Sequence, residues 1–116
     1  MKPRILVAGS MNMDLVLSAD RIPAPGESYF GTTYAYIPGG KGANQAAAAA
    51  RLGSDVTFVG RVGSDAHGEA LVANLQRQGI GTSLIGRDAE APTKLAVIVV
   101  EPSGENRIMV YADDCE

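Results

Sequence analysis

Apolar positions along this chain fall into blocks with different rhythms. Residues 5–8 are an unbroken apolar run closed by Gly9-Ser10, a pattern that suits a strand covered on both faces, as in a parallel sheet. Residues 11–17 alternate loosely and predict that the chain stays extended. Pro23, Pro25 and Gly26 mark a turn. Residues 28–37, rich in Tyr, Phe and Thr, predict strand on a half-exposed sheet. Pro38-Gly39-Gly40-Lys41-Gly42 breaks that stretch. The six alanines in 43–52 then predict a helix stopped by Gly53. A strand is expected at 56–59. An amphipathic helix is expected at 65–78, with Leu71, Val72 and Leu75 on one face. Two further strands, 95–100 and 107–111, flank Pro102-Ser103-Gly104-Glu105-Asn106 and read as a hairpin.

Strands alternating with helices argue for an α/β fold, a mostly parallel sheet with helices packed on it. The stretch 22–37 does not belong to that alternation, and a small strand-built lid is the simplest account of it. No repeat or linker is visible, so residues 1–116 are expected to belong to a single domain. The formal net charge of −3, without a basic run, argues against nucleic acid as a partner. Met1-Lys2-Pro3-Arg4 precedes only five apolar or small residues, too few for a signal peptide or a membrane span. With the single cysteine, Cys115, unable to form an internal disulfide, the expected setting is cytoplasmic.

Two constellations could carry chemistry. Gly9-Ser10-Met11-Asn12-Met13-Asp14 follows a strand, where ligands bind in open α/β sheets. In extended chain Asn12 and Asp14 face the same side. A carboxylate can accept from two neighbouring hydroxyls and an amide can both donate and accept, which suits a polyhydroxylated ligand; alternatively both residues merely cap a turn. The second is Gly39-Gly40-Lys41-Gly42-Ala43-Asn44-Gln45. Its glycines let backbone approach a ligand at a helix N-terminus, and Asn44 sits in the first turn; alternatively it is an ordinary glycine turn. It is neither a phosphate loop, since Gly42 follows Lys41 and Ala35 replaces the first glycine, nor a dinucleotide fingerprint, since Gln45 stands at the third glycine. Asp65 reads as a helix cap and His67 as a solvated helix-start residue. Asp113-Asp114 reads as a frayed terminus and Cys115 as non-catalytic. No metal site is expected.

Together the two constellations resemble the ribokinase-like family of carbohydrate and purine kinases. The resemblance rests on Gly39-Gly40-Lys41-Gly42-Ala43-Asn44-Gln45-Ala46, with Gly53 and Gly63 beyond it, on Gly9 to Asp14, on Pro23-Ala24-Pro25-Gly26-Glu27, and on Gly63-Ser64-Asp65-Ala66-His67-Gly68. It implies the first part of a doubly wound sheet with a small β lid at about 14–38. By resemblance, Asn12, Asp14, Gly40, Lys41 and Asn44 contact the sugar. The Gly-Lys-Gly-Ala-Asn-Gln form points to the ribose-phosphorylating branch, with deoxyribose or fructose as rival sugars and a non-catalytic sugar-binding or dimerisation module as a rival of another kind. The implied reaction is ATP-dependent phosphorylation of the ribose 5-hydroxyl, assisted by Mg2+ and activated by a monovalent cation, K+, in a homodimer joined through the lid. Two departures stand out. The family's Gly-Ala-Gly-Asp motif, which carries its catalytic base, does not occur in these residues. The expectation is therefore that the C-terminal nucleotide-binding part is absent, that no catalytic residue is present, and that the chain alone binds no cofactor and is inactive. The second lies at the end, where Ala112-Asp113-Asp114-Cys115-Glu116 stands in place of the family's usual glycine-containing loop; Lys94, where the family commonly has glycine after a threonine, is a smaller oddity.

Overall fold

The computed structural model describes residues 2–112. In chain order the elements are β1 (Arg4–Ala8), β2 (Asn12–Ser18), β3 (Thr33–Gly39), α1 (Lys41–Arg51), β4 (Asp55–Gly63), α2 (Ala66–Arg77), β5 (Gly81–Asp88), β6 (Leu95–Val100) and β7 (Asn106–Tyr111). Among the described residues the strands form two sheets. One is parallel throughout, in the order β1-β4-β5; the other has the order β3-β2-β6-β7. In the second sheet β2 runs parallel to β6, while β3 and β7 lie antiparallel on the two edges.

Strand alternation decides what the parallel sheet buries. Val56, Phe58 and Val62 of β4 point into one core with Leu71, Val72 and Leu75 of α2 and Ala46 of α1, and Ile5 and Val7 of β1 pack against it. Phe58 is fully buried. Residues on the alternate positions, such as Leu6 and Leu84, are exposed. Both helices therefore cover the same face of this sheet, so β1 is covered on one face and not on both as its apolar run suggested. The alanine run serves that packing, because Ala46 is fully buried and its methyl group lets α1 come close to β1 and β4. Gly53, just beyond the C-cap Leu52, takes φ +94° and donates to Ala50 O, the left-handed stop expected of it.

Four further points differ from the sequence pattern. β5 was not expected: its only bulky apolar residues are Leu84 and Ile85, it lies on an edge, and its register with β4 is interrupted between Thr57 and Val59. Residues 28–32 are not strand: β2 ends at Ser18 opposite Thr33, and Thr32 N donates back to Ser18 O at 2.7 Å. The second sheet also takes β6 and β7 in addition to strands from the 14–38 stretch. His67 is not a freely solvated residue: it is half-buried, its ring 5.0 Å from that of Tyr36 where β3 passes the start of α2. Asp113, Asp114 and Cys115 lie outside the described residues. No described helix is long and apolar enough to cross a membrane.

Candidate functional site at the seam of the two sheets

β1 and β2 belong to different sheets, and only Gly9-Ser10-Met11 separates them. That short crossing lies against the start of α1. A Cβ on Gly42 would stand 2.8 Å from Gly9 Cα, and one on Gly40, which has φ +105°, would stand 2.7 Å from both Met11 Cα and Ser10 O. Ala43 N donates to Ser10 O at 3.1 Å. Only glycine permits this approach. Gly40 is the N-cap of α1 and supplies no side chain to cap it, so the partial positive charge of the helix start faces the crossing.

Asn12 and Asp14 lie within β2, half-buried and on one face, so neither caps a turn. Asn12 Nδ2 donates to Asp14 Oδ1 at 2.6 Å, which fixes the carboxylate's orientation. Gly39 is the ladder partner of Asn12, and a Cβ there would stand 2.6 Å from Asp14 Oδ2. The missing side chain at 39 is thus what leaves room for the carboxylate over β3.

Asn12, Asp14, Gly40, Lys41 and Asn44 all line one cavity of about 460 Å³. Ser10 and Lys94 complete its polar side, while Ala96, Ile98, Ile108 and Val110 of the second sheet form an apolar wall. A carboxylate, two amides and two ammonium groups facing an apolar wall match a sugar, whose hydroxyls need donors and acceptors and whose C–H faces need apolar contact. A neighbouring cavity of about 490 Å³ shares Ser10 and Lys94 but is otherwise lined by Gly9, Met11, Val59, Gly60 and Arg61. It has no carboxylate and suits a polyol less well.

Among the described residues no three His, Cys, Asp or Glu side chains are grouped to hold a metal ion. Outside the cavity, Asp65 is held below the ordinary carboxylate value. Burial raises it, but hydrogen bonds from Thr93 Oγ1, Thr93 N and Gly68 N, and the nearby His67, outweigh burial.

Residues 2–115 match the model of the pfkB family carbohydrate kinase. The chain belongs to the pfkB family. It is 45% identical over 106 residues to a ribokinase from Bacillus subtilis, a match covering 91% of this chain and 36% of that one. The structure of Arabidopsis thaliana ribokinase complexed with ribose and ATP superposes with a TM-score of 0.87 at 36% identity, covering 96% of this chain and 36% of that chain. A fructokinase from Xylella fastidiosa superposes with a TM-score of 0.76 at 32% identity, covering 96% of this chain and 33% of its own. This chain thus spans about a third of the length of these pfkB-family relatives.

All five residues expected at the sugar are brought to one cavity. The sequence pattern did not reveal the apolar wall. Ala96, Ile98, Ile108 and Val110 look like ordinary strand residues, and only the pairing of β2 with β6 and of β6 with β7 carries them to the face of Asp14. Lys94 did leave a signal, as a lysine where the family commonly has glycine.

Proposed function

We propose that the cavity at the seam binds D-ribose, and that this chain is the sugar-binding part of an ATP-dependent kinase acting on the 5-hydroxyl. The observation that carries the reading is the sharing of one cavity by Asn12 and Asp14 from β2 with Gly40, Lys41 and Asn44 from the start of α1. The Arabidopsis relative with ribose and ATP bound supports the choice of sugar and donor.

In this reading Asp14 accepts from two adjacent hydroxyls, with Asn12 holding its orientation. Asn44 and Lys41 bind further hydroxyls, and the glycine backbone at 39–42 lets the ring approach the helix start. Binding and orientation are the contribution of these residues, since holding a nucleophile in place supplies much of a phosphoryl-transfer barrier. No Gly-Ala-Gly-Asp segment occurs in the 116 residues, so the proton-accepting step is assigned to none of these side chains. Mg2+ would assist transfer and a monovalent cation such as K+ would activate it. The reading includes a cytoplasmic enzyme, where ATP is available, and a homodimer formed through the second sheet. Tyr34 and Met109, exposed on the face away from the cavity, support that contact.

Calorimetry with ribose, 2-deoxyribose and fructose tests the reading. Asp14→Ala removes two charge-assisted hydrogen bonds of about 1.5–3 kcal/mol each. Ribose affinity should then fall by at least roughly tenfold. Unchanged affinity would remove Asp14 from the site, and tighter binding of fructose than ribose would replace the proposed sugar.

A further inference from the structure

The segment Gly63-Ser64-Asp65-Ala66-His67-Gly68 does not line the sugar cavity, yet it grips the strand that frames it. Asp65 is the N-cap of α2, and its Oδ1 accepts from Gly68 N at 2.8 Å. The same carboxylate also reaches Thr93: Oδ1 accepts from Thr93 Oγ1 at 2.5 Å and Oδ2 from Thr93 N at 2.8 Å. Thr93 Oγ1 in turn accepts from Gly63 N at 2.9 Å. Thr93 is buried, with 3% of its surface exposed. The glycines make the arrangement possible. A Cβ on Gly63 would stand 2.6 Å from Thr93 N, and one on Gly68 would stand 3.0 Å from Thr93 Oγ1.

Immediately after Thr93 the chain forms the floor of the site. Lys94 O accepts from Met13 N at 2.9 Å, and Leu95 is the ladder partner of Met13. Met13 lies between Asn12 and Asp14. A carboxylate anchored at the start of α2 therefore fixes the residue from which β6 departs, and β6 fixes β2 at the sugar-facing pair. Capping α2 needs only the bond to Gly68 N. The two-oxygen hold on Thr93 exceeds that need.

We infer that Asp65, acting through Thr93, is a positioning residue for Asn12 and Asp14, setting where the two side chains stand in the cavity. The inference rests on the sugar-binding reading above. Its sequence signature is the combination of Gly63, Asp65 and Gly68 with Thr93, a link between two segments about thirty residues apart that no local pattern reports.

The test uses the full chain and three variants. Thr93→Val removes the hydroxyl, keeps the volume and leaves the cap on α2 intact. Thr93→Ser keeps the hydroxyl. Asp65→Asn keeps an acceptor for Gly68 N and carries the same comparison should Thr93→Val fail to fold. Ribose is titrated calorimetrically well below the unfolding temperature of each protein, with circular dichroism confirming that each is folded. Thr93→Val is expected to bind ribose roughly tenfold more weakly than wild type, and Thr93→Ser to recover to within about twofold. A purely structural role would lower the unfolding temperature of Thr93→Val and leave ribose affinity in the folded protein alone; that result overturns the inference. Wild type that binds no ribose overturns the ribose reading, and this inference with it. Wild type and Thr93→Val that bind equally well overturn this inference only.

Discussion

Gly42→Ala puts the close approach of α1 to the crossing between sheets to a test whose sign is informative. Alanine is the better helix former by at most about 1 kcal/mol, so without a clash the substitution would stabilise. The added Cβ, however, would stand 2.8 Å from Gly9 Cα and 2.9 Å from both Gly9 C and Ser10 N. Ordinary carbon contacts lie near ~3.5–4.0 Å. The shortfall of roughly 1 Å is against backbone, which cannot swing aside as a side-chain tip can. Forced displacement of this kind costs about 1–3 kcal/mol, and losing the Ala43 N to Ser10 O bond adds about 1 kcal/mol. After the propensity gain, a net loss of about 1–3 kcal/mol remains, equivalent to a fall in Tm of roughly 5–20 °C. Thermal unfolding followed by circular dichroism reads this directly. Gly86→Ala is the control, because its Cβ would meet only ordinary contacts from 3.7 Å outward. It should change stability by less than about 0.5 kcal/mol. A Gly42→Ala protein with a Tm equal to or above wild type would refute the proposed contact, and with it the account of why glycine stands at 9 and 42.

Asp65 should leave a pH signature. Its folded-state value lies below the ordinary 3.8, so its contribution is fully present above that value and disappears as pH falls through the lower one. The Tm difference between wild type and Asp65→Asn should be steady from about pH 7 to about pH 4 and close below that; a difference constant down to about pH 2 would contradict it. Phe58→Ala empties the centre of the core, where the ring is fully buried, at a cost of about 3–5 kcal/mol. That is a large part of a domain's total of about 5–15 kcal/mol. A Phe58→Ala protein unfolding within about 2 °C of wild type would show that the core is misassigned.

The buried elements were legible in the sequence because their signal is local. The alanines of α1 and the Leu71-Val72-Leu75 stripe of α2 each report burial within a few residues, whereas the apolar run of β1 reports the strand but not its exposed second face. β5 was not legible, since an edge strand with glycine at 81 and 86 needs only a neighbour's free hydrogen-bonding edge to form. At the site, the spacing of Asn12 and Asp14 was readable as two side chains on one face. Their convergence with Asn44 depends on the contact of Gly9 with Gly42, which is a tertiary fact. The apolar wall and the bond between Asp65 and Thr93 were invisible for the same reason: each joins segments whose pairing only the complete fold defines.

The three residues between β1 and β2 have a thermodynamic consequence. One set of the proposed ligand groups rides on the second sheet and the other on a helix packed against the parallel sheet, so the distance across the cavity is a coordinate of their relative placement. A guest that spans both sides favours one value of that coordinate, and by reciprocity any force that holds that value tightens the guest. In the proposed reading, the seam would link occupancy by a small molecule to the arrangement of the two sheets.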